Sequence, residues 1–420
     1  MQDAPSRARE PLAARYGDVR ARSVELAAPV SPEDAMLQSM PDASPTKWHL
    51  AHTTWFFETF VLGELAGHRP VDATWQVLFN SYYQSVGPQH ARPMRGLLSR
   101  PSLAEVLDYR ARIDARLQDA LARGELDDAL RLRVEVGLQH EQQHQELMLT
   151  DLLHAFACNP LRPAYRDDLP SRGECAGPLG WQRFDEAVVE VGAPAWPDAT
   201  RAFAFDPESP RHRVLVAPFA LATRPVTCGE YRDFIRDGGY RTPALWLSDG
   251  WARVQAEGWE RPLHWLDEQH DFTLGGVRAI DDDAPVAHIS YYEADAFARW
   301  AGARLPTEFE WERATQGVPV EGNFVDEGRL APAGNAAAGM RQLFGDVWEW
   351  TSSAFLPYPG YRPWPGALGE YNGKFMVGQQ VLRGGSCASP RDHLRASYRN
   401  FFPPHARWQF AGLRLAKDLA

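Results

Sequence analysis

The chain has 420 residues, 44% of them apolar and 24% charged, with a formal net charge of −11. That length exceeds one ordinary core, so two domains are expected, and the acidic balance disfavours phosphate-backbone binding and leaves small molecules, not nucleic acid, as partners. No apolar run reaches the roughly 18 residues of a membrane span, and the polar start Met1-Gln-Asp-Ala-Pro-Ser-Arg lacks a signal-peptide core, so a cytoplasmic location with no membrane contact is expected.

From about Pro32 to Phe156 the sequence reads as helices. Ser44-Pro45 has the chemistry of an N-cap followed by a first helical residue, after which Trp48, His52, Trp55, Phe56 and Thr59 share one face. A second helix starts with Ser102 as cap and runs to about Gly124. The third is less clean, because Leu130, Leu132, Val134, Val136 and Leu138 alternate as in a strand. The absence of proline from 126 to 156 and the spacing of Leu147, Leu149, Leu152 and Leu153 favour a helix. Helices around an apolar interior predict an antiparallel four-helix bundle, a scaffold that builds metal sites from facing side chains.

Between Asn159 and Arg183 the composition shifts to Pro, Gly, Arg and Asp, as in a linker. Beyond it, short apolar stretches (Val188-Val-Glu-Val, His212-Arg-Val-Leu-Val) alternate with irregular segments rich in Trp, Gly and Pro, and one helix lies near Tyr291–Ala301. The chain is therefore α+β with two domains, divided as 1–165, a linker over 166–184, and 185–420. Four cysteines, Cys158, Cys175, Cys228 and Cys387, form no Cys-x-x-Cys pair, which argues against a thiolate zinc site and a disulfide framework.

His140 and His144 stand four residues apart in Leu138-Gln-His-Glu-Gln-Gln-His-Gln-Glu146, on one helical face. A histidine from Trp48-His-Leu-Ala-His52 would complete a three-nitrogen corner with its opposite side open, as in a catalytic metal site. His49 and His52 are rivals for that place, and each histidine taken singly is equally a hydrogen-bonded core residue.

Trp48-His-Leu-Ala-His-Thr-Thr-Trp-Phe-Phe-Glu58 and His140-x-x-x-His-x-Glu146 resemble the DinB-like helical domain of the ergothioneine-biosynthesis EgtB family. Arg304-Leu-Pro-Thr-Glu-x-Glu-Trp-Glu312, Gly345-Asp-Val-Trp-Glu-Trp-Thr351, Leu382-Arg-Gly-Gly-Ser386 and Phe410-Ala-Gly-Leu-Arg-Leu415 resemble the formylglycine-generating-enzyme/sulfatase-modifying fold, a C-type-lectin-like architecture. The two in this order cover nearly the whole chain. The resemblance implies a non-heme iron(II) enzyme that uses O2 to join the sulfur of L-cysteine or γ-glutamylcysteine to imidazole C2 of hercynine and to oxidise that sulfur.

The resemblance also implies roles. His52, His140 and His144 match the iron ligands, and zinc, which the same ligands would hold, has no redox chemistry for O2. Gln143 matches a residue that holds the substrate imidazole, and Glu146 is a candidate partner for a ligand imidazole. Tyr82 and Tyr83 resemble the active-site tyrosine pair of the free-cysteine branch, where a phenol hydrogen-bonds or delivers a proton. Arg92 and Arg95 match an Arg-x-x-Arg pair that holds the carboxylate of the thiol. Asn400, Phe401 and Phe402 match the segment that holds hercynine. Users of γ-glutamylcysteine carry Asn-Trp-Asp there, so the missing aspartate favours free cysteine.

Cys387 follows Arg383-Gly-Gly-Ser386, where formylglycine-generating enzymes place the first of two catalytic cysteines. No second follows, which disfavours sulfatase activation; the Arg-Leu-Pro-Thr-Glu and Trp-Glu-Trp motifs read as structural. The alternatives are an ovothiol-type reaction on histidine, a zinc-dependent thiol transferase, and a lectin-like binding module. Monomer and homo-oligomer both remain open.

Overall fold

The computed structural model describes residues 11–170, 173–196, 203–370 and 372–419, and the chain divides into two units, Met1–Ala155 and Phe156–Ala420. The first is helical: α1 (Leu12–Ala27), α2 (Thr46–Phe60), the short α3 (Trp75–Phe79), α4 (Leu103–Ala122) and α5 (Asp128–Cys158). Ser102 caps α4 by the expected chemistry, its side chain accepting from Glu105 N while the Glu105 carboxylate receives Ser102 N–H. Ser44 does not cap α2. The helix begins at Thr46 without a side-chain cap, and the Ser44 hydroxyl instead accepts from Arg95 Nη1 at 2.9 Å.

Helix α1 lies ahead of the region read as helical, and its buried charges explain why. Arg20 is 3% exposed; its Nε donates to Asp114 at 2.6 Å and its Nη1 to Glu141 at 2.8 Å. Ser23 Oγ donates to Glu141 at 2.6 Å, and Arg110 donates to the same carboxylate. Burial alone would raise the Glu141 pKa, but Arg110 and Arg20 hold it below the ordinary value. The segment is thus docked to α4 and α5 through its arginine and serine.

The alternating apolar run near the start of α5 leads into a stretch that is buried on nearly all sides from Val136 onward. Val134, Val136, Leu138, Gln139, His140 and Glu141 are all under 4% exposed, so no 3.6-residue stripe is needed.

The second unit combines α6 (Cys228–Arg236), α7 (Ser248–Glu257), α8 (Tyr291–Trp300) and α9 (Glu308–Ala314) with eleven short strands among the described residues. These are β1 (Trp181–Phe184), β2 (Ala187–Val191), β3 (His212–Val216), β4 (Phe219–Ala222), β5 (His270–Thr273), β6 (Gly276–Ala279), β7 (Trp348–Ala354), β8 (Gln380–Arg383), β9 (Asn400–Phe402), β10 (Ala411–Gly412) and β11 (Ala416–Asp418). They form a three-stranded sheet β1-β4-β11, a four-stranded sheet β10-β7-β8-β9, and the pairs β2-β3 and β5-β6. The two apolar stretches read from sequence are β2 and β3, paired antiparallel with Val189 opposite Val214.

Within 166–184, the segment read as a linker, the described residues 166–170 and 173–184 carry hydrogen bonds to the second unit. Arg166 N donates to Leu274 O at 3.1 Å, Gly173 N to Asp281 at 3.0 Å and Ala176 N to Asp283 at 2.9 Å, and β1 joins a sheet. Pro and Gly content marks irregular backbone, not free backbone, because main-chain groups laid against a protein surface still require partners.

The motif residues build the core of this unit. Glu308 accepts from Arg383 Nη2 at 2.9 Å, Arg399 Nε at 2.8 Å and Tyr358 OH at 3.0 Å, while Glu349 accepts from Trp311 Nε1 at 2.8 Å and Arg414 Nε at 2.9 Å. Each charge is paired and hydrogen-bonded, the condition under which ions are tolerated inside a protein. Strand β8, which carries Arg383, pairs with β9, setting Leu382 opposite Asn400 and Val381 opposite Phe401. Cys387 is fully buried, as a structural residue would be.

Candidate metal centre

Helices α2 and α5 each contribute two histidines to the middle of the first unit. The ligand-capable nitrogens of His52, His140 and His144 all lie within 4.8 Å of one another. His52 Nε2 and His140 Nε2 are 3.2 Å apart, and the three ring centroids are separated by 4.6 to 4.9 Å. First-row divalent metals with bonds to imidazole of about 2.1 Å set neighbouring donor nitrogens about 3.0–3.4 Å apart, so the 3.2 Å separation fits such an ion.

The ring states fit as well. Burial pushes all three imidazoles down, His140 to about 3 and His52 and His144 well below the ordinary value, with neighbouring histidines adding to the shift at His52 and His144. They are neutral at physiological pH, the form that binds metal. His52 Nδ1 donates to the Phe79 carbonyl at 2.6 Å, which leaves the lone pair on Nε2, the nitrogen facing His140. The indoles of Trp48 and Trp55 stack on His52 at 4.6 and 5.7 Å with ring planes 12° and 15° apart, fixing its orientation.

His49, the rival first ligand, has a different place. Its Nδ1 is 2.8 Å from His144 Nδ1, and its Nε2 is 3.2 Å from Asp151 Oδ2, so it stands behind His144. Asp151 also accepts from Ser44 N at 2.8 Å. The sequence reading passed over Asp151, although it lies seven residues after His144 on the same helical face and is the one acid in the run Leu147–Leu153. Glu146 is buried in α5, while His49 faces His144 and the Phe79 carbonyl accepts from His52.

The paired residues separate. Arg95 is 3% exposed, stacks on Trp48 with its guanidinium carbon 3.4 Å from the ring centroid, and donates to Ser44 Oγ at 2.9 Å and Ser81 Oγ at 3.1 Å. Both acceptors are neutral, and burial together with Arg92 pushes its pKa down to about 9. Arg92 is exposed and donates to the Asp42 carbonyl. Tyr82 is half-buried with its ring 6.5 Å from that of His52. Tyr83 is fully buried against Phe60 at 4.9 Å and Trp55 at 5.8 Å, a core position. Gln143 is half-buried on α5.

In the second unit, Asn400, Phe401 and Phe402 are half-buried on β9. Phe401 stacks on Phe355 at 4.1 Å, Phe402 meets Trp408 edge-on at 5.8 Å, and Asn400 Oδ1 accepts from Phe401 N at 2.9 Å. Among the described residues no helix is long and apolar enough to cross a membrane.

Residues 15–148 match the DinB superfamily, and 184–338 and 328–419 match the sulfatase-modifying factor enzyme 1-like domain. The hercynine oxygenase of Mycolicibacterium thermoresistibile is 34% identical over 98% of this chain and 95% of its own length; that of Mycolicibacterium smegmatis is 34% identical over 98% and 100%. Ergothioneine biosynthesis protein 1 of Schizosaccharomyces pombe is 30% identical over 67% of this chain and 39% of its own length. Matched over 98% of its length by the two Mycolicibacterium hercynine oxygenases, with a helical three-histidine unit followed in sequence by a sulfatase-modifying-factor-like unit, the chain belongs to the hercynine oxygenase family.

Proposed function

We propose that this protein is an iron(II)- and O2-dependent sulfoxide synthase of ergothioneine biosynthesis, acting in the cytoplasm on hercynine and L-cysteine. The observation that carries the reading is the pairing of three neutral imidazoles with a buried guanidinium whose Nη atoms donate to the serine hydroxyls of Ser44 and Ser81. In the proposed reaction the hercynine C2–H and the cysteine S–H are lost and a C–S bond forms. One oxygen atom of O2 goes to sulfur and the other leaves as water, so the four electrons that O2 takes up come from C–S coupling and sulfoxidation.

Iron(II), held by His52, His140 and His144, supplies the redox chemistry that O2 requires. Three uncharged ligands leave the cationic charge to be met by substrate, which favours thiolate over thiol. Arg95 provides a desolvated fork for the amino-acid carboxylate, and its neutral serine partners leave its charge available to that anion. Tyr82, not Tyr83, is the phenol assigned to hold or move a proton, because its ring stands near His52 while Tyr83 is packed in the core. Gln143 is assigned to the substrate imidazole, and Asn400, Phe401 and Phe402 to hercynine, on the sequence match. Phe402 in place of aspartate supports free cysteine over γ-glutamylcysteine.

Incubation with iron(II), ascorbate, hercynine or histidine, and cysteine or γ-glutamylcysteine, with and without O2, followed by mass spectrometry, tests this. The expected product is hercynylcysteine sulfoxide, formed only in air. Equal rates without O2 would refute an oxygenase, and coupling only to histidine would place the reaction in the ovothiol type.

A further inference from the structure

We propose that Asp151 and His49 are positioning residues that set the tautomer of His144, an inference resting on the metal-centre reading of the three histidines. Asp151 is 5% exposed, and its Oδ2 faces Ser44 N at 2.8 Å and His49 Nε2 at 3.2 Å. A carboxylate oxygen accepts, so His49 Nε2 carries the hydrogen. With that hydrogen on Nε2, the His49 tautomer presents the lone pair of Nδ1, and the 2.8 Å approach of His144 Nδ1 makes His144 the donor of that bond. His144 is left with its lone pair on Nε2. One carboxylate thereby selects the state of two imidazoles in succession.

The consequence is preorganisation. The Phe79 carbonyl does for His52 what Asp151 does for His144, but Asp151 acts at one remove, through an intervening ring. Helix α2 then carries one ligand, His52, with the supporting His49, and α5 carries two, His140 and His144, with the supporting Asp151. Partners that orient a ligand imidazole typically change metal affinity by about 10–100-fold. The same Asp151 oxygen holds Ser44, whose hydroxyl accepts from Arg95, so the group that orients His144 also anchors the backbone under the guanidinium.

Two measurements test the proposal. In the ¹⁵N-labelled wild-type apoprotein, His49 is expected as the Nε2–H tautomer and His144 as the Nδ1–H tautomer; the reverse assignment for His144 overturns it. In cobalt(II) titrations of the full chain, His49→Ala and Asp151→Ala are expected to bind about 10–100-fold more weakly with an altered visible spectrum. His49→Gln, whose amide both donates and accepts, should recover most of the affinity.

Folded His49→Ala with wild-type affinity and spectrum, alongside a His144→Ala variant that loses the metal, would sink the positioning role while leaving the metal centre standing. Normal binding by His144→Ala would sink the metal centre itself. If Asp151→Ala does not fold, the wild-type tautomers and the two His49 variants decide.

Discussion

The Nδ1 atoms of His49 and His144 lie 2.8 Å apart, so the histidine one turn ahead of His52 on α2 faces a metal-ligand candidate, not the metal position. Four histidines are thereby divided into three that converge and one that supports, a division that spacing alone does not contain.

Removal of any converging histidine should abolish tight metal binding. His52→Ala, His140→Ala and His144→Ala are each expected to retain less than about a tenth of the iron bound by the wild type after anaerobic reconstitution, with helical content by circular dichroism unchanged. Stoichiometric iron in any one of them would exclude that residue as a ligand.

The two arginines should behave differently. Arg95→Ala is expected to raise KM for the thiol at least tenfold, since a charge-assisted carboxylate contact is worth about 1.5–3 kcal/mol, while Arg95→Lys restores charge but not the fork. Arg92→Ala, at an exposed site already bonded to the Asp42 carbonyl, should change KM less than threefold. Equal losses at both positions would show that Arg92 shares the carboxylate.

Gly137 lies one turn before His140. A Cβ there would come within 2.4 Å of Phe57 Cε1 and 3.0 Å of Phe56 Cε1, on rings that are fully buried. Alanine gains about 1 kcal/mol of helix propensity, but overpacking costs about 1–3 kcal/mol. Gly137→Ala should therefore lower the denaturation midpoint and weaken metal binding; a stabilised variant would mean that Phe57 can move.

Asp271, cross-strand from Arg278 on the β5-β6 pair, has its pKa raised by burial from 3.8 to about 6. The folded state binds the extra proton between those values, so its stabilising contribution is complete below about 3.8 and lost as pH rises through about 6. Asp271→Asn removes that loss. It is expected to raise the melting temperature by a few degrees at pH 7.5, corresponding to about 1–2 kcal/mol, and to leave it unchanged at pH 4. Equal shifts at both pH values would refute the titration account.

The helices of the first unit and the convergence of His52, His140 and His144 were legible because periodicity and paired motifs report which residues share a face. Helix α1 was not, because what docks it is the pairing of Arg20 and Ser23 with Asp114 and Glu141, about a hundred residues away in sequence. The Tyr82-Tyr83 and Arg92-x-x-Arg95 pairs looked equivalent for a related reason. Which member turns inward depends on Trp48, Ser44 and Phe60, and a motif records the type of a residue but not its exposure. Segment 166–184 shows the limit of composition, which identifies irregular backbone without saying where its hydrogen bonds go.

The guanidinium of Arg95 and the imidazole of His52 both stack on the indole of Trp48. The guanidinium proposed to hold the thiol's carboxylate and a proposed metal ligand therefore share one indole as a common wall. On the proposed roles, a change at Arg95 that alters the thiol donor would also disturb the indole against which His52 is stacked.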